Sequence, residues 1–177
     1  MGGSCDNIIL VGPMGVGKST IGRLLAQSTG RIFKDTDHVI EERCGADIPW
    51  IFDIEGEAGF RERETSVLTD LVAEEGLVLA TGGGIVIREQ NREILRNQAN
   101  VVYLTASIEQ LVKRTRRDRK RPLLQVDDPR AKIVELIQTR HPLYSEVAGV
   151  QISTDNKSPK AVVEMIKSKL ARGEHRG

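Results

Sequence analysis

One short stretch constrains this chain more than any other: GPMGVGKST, Gly12 to Thr20, which follows directly on the apolar run NIILV at 7–11. The spacing G-x-x-x-x-G-K-S between a strand and a helix is that of a loop built to cradle phosphate. Gly12, Gly15 and Gly17 lack a Cβ, so the backbone can curl closely around an anion. The N–H groups of Gly15, Val16 and Gly17 then turn inward, and the helix beginning at Lys18 adds its positive dipole end. Lys18 is placed to reach the β- and γ-phosphates of a nucleotide, Ser19 to ligate Mg²⁺, and Thr20 to add a phosphate contact. The plain alternative is a glycine-rich turn with an incidental GKS, but the strand–loop–helix context speaks against it.

The rest of the chain fits the fold that such a loop requires. Short apolar runs at 7–11, 77–81 and 100–104, with less clear ones at 31–35 and 150–153, read as buried strands. Amphipathic patterns predict helices over about 18–29, 38–44, 57–75, 88–97, 107–117, 130–146 and 158–171. Strand–helix alternation of this kind predicts an α/β fold, a parallel sheet covered on both faces, with ligands at the carboxyl ends of the strands. At 177 residues the chain has the size of a single domain, 1–177.

Composition narrows the partners. Lys and Arg number 26 against 25 Asp and Glu, a formal charge of +1, which argues against nucleic-acid binding. No apolar run approaches the roughly 18 residues of a membrane span, and the start MGGSCD is no signal peptide. Cys5 and Cys44 match no metal spacing and fit a reducing compartment, so the expected location is the cytoplasm. A guanine-reading N-K-x-D is missing; the nearest string, NKSP, has Pro159 where Asp belongs. With a chain too short for a motor or helicase, a small phosphotransferase remains.

Four further stretches describe the acceptor. In KDTDHV, Asp35 and Asp37 lie two apart, which on an extended segment aims both carboxylates to one side. One can serve Mg²⁺ and the other act as base to a hydroxyl; the bland reading is a helix capped by Thr36 or Asp37. In EGEAGFRERE, Arg61 sits near a helix start, where the dipole disfavours a cation, and a residue set against its local preference suggests a ligand. Arg63 is the contrast, because Glu57, Glu62 and Glu64 can absorb its charge. In LVLATGGGIV, Gly82, Gly83 and Gly84 end a buried strand and offer bare backbone to a small ligand. In QTRHPLYSEVA, Arg140 ends a helical pattern that Pro142 stops or kinks; alone it reads as an ordinary cation at a helix C-terminus. Together these residues expect a small acceptor with a hydroxyl for Asp37 and a carboxylate for Arg61 and Arg140. The segment RTRRDRKRPLLQVDDP, 114–129, has dense positive charge and no apolar period, and is expected to be a mobile lid.

In order and spacing, GPMGVGKSTIGR, DTD, EGEAGFRERE, TGGG, RPLL and RHPLY resemble the signature set of the shikimate kinases, over residues 7 to about 170. The resemblance implies a P-loop fold of the nucleoside-monophosphate-kinase type, with a five-stranded parallel sheet of order 2-3-1-4-5. It implies transfer of the γ-phosphate of ATP to the 3-hydroxyl of shikimate, with Mg²⁺, on the route to chorismate and the aromatic amino acids. Asp37 then matches the base that also binds ring hydroxyls, and Asp35 a residue that helps hold Mg²⁺. Arg61, Arg140 and a glycine of the run, Gly83 foremost, match the shikimate clamp. Arg121 matches a lid arginine over the phosphates, Arg114 one stacked on adenine, and Lys157 a loop beside the adenine. The termini, 1–6 and 172–177, match nothing and are expected to be disordered; a monomer is expected. A gluconate or nucleoside-monophosphate kinase on the same fold, and an ATP-binding scaffold without catalysis, are the competing readings.

Overall fold

The computed structural model of the chain describes residues 6–116 and 124–173. Its centre is the strand pair β1 (Ile8–Val11) and β3 (Leu77–Ala80), in which every residue is buried. Strands buried on both faces need continuous apolar sequence, and IILV and LVLA supply it. Outside them lie β2 (Ile32–Asp35), β4 (Asn100–Thr105) and β5 (Val150–Ser153), giving five strands in the order β2-β3-β1-β4-β5. All pairings are parallel. This is the order that the family resemblance implies. The edge strands β2 and β5 tolerate water, and Ile32 is 64% exposed.

Alternate residues of the central strands feed two cores, as the period of two requires. Ile8, Leu10, Val102 and Leu104 face the helices α1 (Lys18–Thr29), α5 (Ile108–Thr115) and α7 (Pro159–Gly173). Ile9, Val11, Val101 and Tyr103 face α2 (Thr36–Cys44), α3 (Ile48–Val72) and α4 (Glu89–Arg96). Helix α6 (Pro129–Val147) serves both cores, with Ile133 in the first and Tyr144 and Val147 in the second. It runs through Pro142. No helix among the described residues is long and apolar enough to cross a membrane.

The register brings the functional loops to one rim. Asp35 pairs with Ala80, Ala80 with Leu10, and Val11 with Tyr103. The chain leaves β1 into Gly12, β2 into Thr36 and β3 into Thr81, all at the carboxyl edge. Thr81 ties this rim together by donating through both its N–H and its hydroxyl to the Leu10 carbonyl.

Two helix expectations need correction. Helix α3 starts at Ile48, not at 57, because Asp47 caps it by accepting from Trp50 N–H and Pro49 occupies its first turn. Gly56 breaks it, with φ 72° and ψ 178°, so a second helical stretch does begin near Glu57. Helix α2 starts at Thr36, and its cap is Asp35 rather than Thr36 or Asp37. Of the expected lid, Arg114 and Thr115 belong to α5, Leu124 is buried in the first core and Pro129 opens α6. Arg121 and its neighbours 117–123 lie outside the described residues, as do 1–5 and 174–177.

Candidate active site

The phosphate loop has the form that its glycines dictate. Gly12 has φ 149°, and a Cβ there would stand 2.4 Å from the Leu104 carbonyl oxygen. At Gly15, φ 82°, it would stand 2.6 Å from Thr115 Cγ2. Both positions therefore require glycine. Lys18 is nearly buried, and its Nζ donates to the carbonyls of Gly12 at 2.6 Å and Pro13 at 2.8 Å. The ammonium is thus parked across the mouth of its own loop. Arg114, from the last turn of α5, donates to the carbonyls of Val16 at 3.2 Å and Gly15 at 3.4 Å, and to Thr154 Oγ1 at 3.5 Å.

A cavity of about 290 Å³ opens at this loop. Gly15, Gly17, Lys18, Ser19, Thr20 and Arg114 line one side, and Asp35, Asp37, Thr81 and Gly82 the other. It joins the expected phosphate site to the expected acceptor carboxylates. Lys157 is exposed on the loop after β5 and does not line this cavity.

Asp35 does two jobs at once. Its Oδ1 accepts from the N–H groups of Asp37 at 2.9 Å and His38 at 3.4 Å, which caps α2. Its Oδ2 accepts from Ser19 Oγ at 2.7 Å. The two aspartates share a cavity, but not by the extended geometry expected. The chain turns helical at Thr36, and the first turn of α2, not a strand, presents Asp37.

The glycine run is where the residues expected to hold the acceptor converge. A Cβ on Gly82 would stand 2.8 Å from Asp37 Oδ1 and 3.0 Å from Glu64 Oε2. On Gly83 it would stand 3.6 Å from Arg140 Nη1, and on Gly84 2.4 Å from Arg61 Nη1. Each glycine therefore lies against a different charged side chain, and three side chains in their place would fill the site. The Gly82 N–H donates to Thr36 Oγ1 at 3.0 Å. Among the described residues, the N–H groups of Gly83 and Gly84 donate to no protein acceptor.

The charges here are buried. Arg61, 7% exposed, pairs with Glu64 at 3.0 Å and with the half-exposed Glu57 at 3.3 Å. Glu64 is wholly buried, and among the described residues its Oε2 has no hydrogen-bond partner. Burial pushes its carboxyl up from the ordinary glutamate range, against the opposing pull of Arg61, Arg140 and Arg88. Arg140 is 5% exposed and has no ion-pair partner among the described residues. A buried guanidinium without a counter-ion is a place for an anionic ligand.

Two sequence readings change. Arg63 does not use Glu57, Glu62 or Glu64; it pairs bidentately with Glu55, both contacts at 2.7 Å, across the Gly56 break. Glu57 and Glu64 serve Arg61 instead. Glu64 is the site residue that the sequence reading missed. Its signal was its place three residues after Arg61, on the same helix face.

The donor set suits Mg²⁺. Ser19 Oγ and Asp35 Oδ2 are hard oxygens brought together beside the phosphate loop. Magnesium is usually held by one or two such protein oxygens together with phosphate oxygens and water.

The model of the shikimate kinase family matches residues 14–171. The shikimate kinase of Pseudomonas paraeruginosa (strain DSM 24068 / PA7) is 57% identical over 166 residues, covering 94% of this chain and 96% of the relative. The solved structure of a shikimate kinase from Acinetobacter baumannii, in complex with shikimate, superposes with a TM-score of 0.93 at 49% identity, over 94% of this chain and 93% of that one. A gluconokinase structure from Sinorhizobium meliloti, 20% identical with a TM-score of 0.59 over 96% of this chain and 94% of its own, shares the fold alone. With a phosphate loop, a carboxylate pair and a glycine run in the family's order, the chain belongs to the shikimate kinase family.

Proposed function

We propose that this chain transfers the γ-phosphoryl group of ATP to the 3-hydroxyl of shikimate, and that the residues converging on Gly82 to Gly84 hold the acceptor. The convergence carries the reading. Asp37, Arg61 and Arg140 meet at one bare stretch of backbone, beside a phosphate loop. A small polyhydroxy carboxylate fits it, with its carboxylate on Arg140 and Arg61, ring hydroxyls on Asp37, and the N–H groups of Gly83 and Gly84 close by. The identities of the relatives weigh against gluconate, and the retained Lys18, Ser19, Asp35 and Asp37 weigh against a scaffold without catalysis.

Phosphoryl transfer asks the protein mainly for positioning and charge neutralisation. The acceptor oxygen attacks the γ-phosphorus, its bond to the β-phosphate oxygen breaks, and the hydroxyl proton passes to the Asp37 carboxylate. Lys18 turns from the Gly12 and Pro13 carbonyls to the β- and γ-phosphates. The loop N–H groups of Gly15, Val16 and Gly17, with Thr20, hold the phosphate oxygens. Ser19 and Asp35 would hold Mg²⁺, which when bound spreads the phosphate charge. Arg114 lies beside the loop where adenine is expected, Lys157 stays a backbone contact at most, and Arg121 keeps its assignment over the phosphates from the family pattern. We place the chain in the cytoplasm as a single-domain monomer.

A coupled assay of ADP release with shikimate, gluconate and AMP as acceptors tests the reading. Turnover is expected with shikimate alone. Turnover with gluconate or AMP and none with shikimate would overturn it.

A further inference from the structure

The glycine run poses a mechanical problem. Three successive glycines have the largest freedom to lose on ordering, yet here they form the floor of a binding site. The structure ties the run at several points. Gly82 N–H is held by Thr36, the Gly82 carbonyl accepts from Ile85 N–H, and the Gly84 carbonyl accepts from Ile87 N–H. These bonds are local or at the edge of the run. Among the described residues the middle peptide has one tie, to Tyr144 of α6, whose hydroxyl donates to the Gly83 carbonyl.

We propose that Tyr144 is a positioning residue for the acceptor: by holding the Gly83 carbonyl it fixes the peptide between Gly83 and Gly84, and so the direction of the Gly84 N–H beside the bound acid. In a trans peptide the carbonyl of one residue and the N–H of the next point in opposite directions. A Gly83 carbonyl fixed on Tyr144 therefore sends the Gly84 N–H to the opposite side. It also restrains ψ of Gly83, which no side chain of its own limits.

Tyr144 is built for this task. It is 0% exposed, and its ring packs on Tyr103 at a centroid distance of 4.9 Å. Burial pushes its hydroxyl well above the ordinary tyrosine range, so it stays a donor throughout the working pH range. It stands one helical turn beyond Arg140, so α6 supplies both the cation and the anchor of the loop beside it. Tyr103 offers an internal comparison. Its ring is buried too, but its hydroxyl sits in a part-buried contact with His141 Nδ1 at 2.9 Å.

The inference rests on the acceptor assignment above, and the wild-type assay separates the two. If the wild type does not phosphorylate shikimate, the assignment itself fails. The test is Tyr144→Phe, which keeps the ring and removes the hydroxyl. Leaving one buried carbonyl without its donor should raise the KM for shikimate by about tenfold and leave the KM for ATP within about twofold. Tyr103→Phe should cost comparable thermal stability and leave both KM values unchanged. An unchanged shikimate KM in Tyr144→Phe, or an equal rise in both KM values, would overturn the proposal. A second readout does not need Tyr144→Phe to fold. In Tyr103→Phe, Tyr144 carries the only tyrosine hydroxyl, since the chain has two tyrosines. Its proton resonance should shift when shikimate is added; a resonance indifferent to shikimate would also overturn the proposal.

Discussion

Arg61 Nη1 and Glu64 Oε1 are 3.0 Å apart in the wall of the proposed acceptor site, with Arg61 almost buried and Glu64 wholly so. The pair sets a pH dependence. Glu64 takes up its proton more readily in the folded chain than in the unfolded one, because burial raises its pKa. A raised folded pKa means that the contribution to stability is full below the unfolded value, near 4.5, and is lost as pH rises through the folded value. Glu64→Gln still accepts from Arg61 but does not titrate. Its thermal stability should therefore fall less than that of the wild type as pH rises from the acid side of the glutamate range to neutrality. Parallel melting curves for the two proteins over that range would show the assignment to be wrong.

Arg140 and Arg61 should separate in their effects on folding. Each is expected to give the acceptor a charge-assisted contact, so that Arg140→Ala or Arg61→Ala weakens shikimate binding by about 10–150-fold and leaves ATP binding nearly unchanged. Among the described residues Arg140 has no ion-pair partner to strand. Arg61→Ala leaves Glu64 buried without its guanidinium, and should also cost about 3–5 kcal/mol of stability at neutral pH. Calorimetric titration with each ligand, together with urea unfolding, measures both effects. A loss on the ATP side would place these arginines in the wrong pocket.

Asp37 faces the reacting hydroxyl in the proposed mechanism. Asp37→Asn keeps the size of the side chain and removes the base. Turnover should fall by about 10²–10⁴-fold, with ATP binding and melting temperature close to wild type. Near-normal turnover with intact ATP binding would remove Asp37 from the role of base.

Much of this was legible in the chain because the decisive signals are local. IILV and LVLA are buried on both faces and have to be apolar throughout. Gly12 and Gly15 are glycines because their backbone angles and neighbours leave no choice. What the sequence reading missed depends on distant packing or on a break. Glu64 sits in a run of charges that looks like a solvated helix face, yet it is wholly buried, with the glycine run packed against its carboxylate. Arg63 reaches Glu55 because Gly56 bends the chain, and intact helical spacing points elsewhere. The first half of α3 carried its own start signals in Asp47 and Pro49, which the apolar pattern of 57–75 overshadowed.

Asp35 is the residue where folding and chemistry can be pulled apart, because its two oxygens do different work. Oδ1 caps α2 by accepting from Asp37 and His38, and Oδ2 meets Ser19 at 2.7 Å. Asn is as good a cap as Asp, since both offer the helix an oxygen acceptor. It lacks the charge that draws a divalent cation. Asp35→Asn should therefore keep the melting temperature, while the Mg²⁺ concentration for half-maximal activity rises by about tenfold, the scale of one lost charge-assisted contact. Asp35→Ala removes both functions and should lose about 1 kcal/mol of stability in addition. Ser19→Ala should raise the Mg²⁺ requirement and leave the cap of α2 untouched, since its hydroxyl meets only the outer oxygen. The measurement is a Mg²⁺ titration of turnover at saturating ATP and shikimate, beside a thermal melt of each variant. A Mg²⁺ requirement that stays at the wild-type level in both Asp35→Asn and Ser19→Ala would leave Asp35 a helix cap and nothing more.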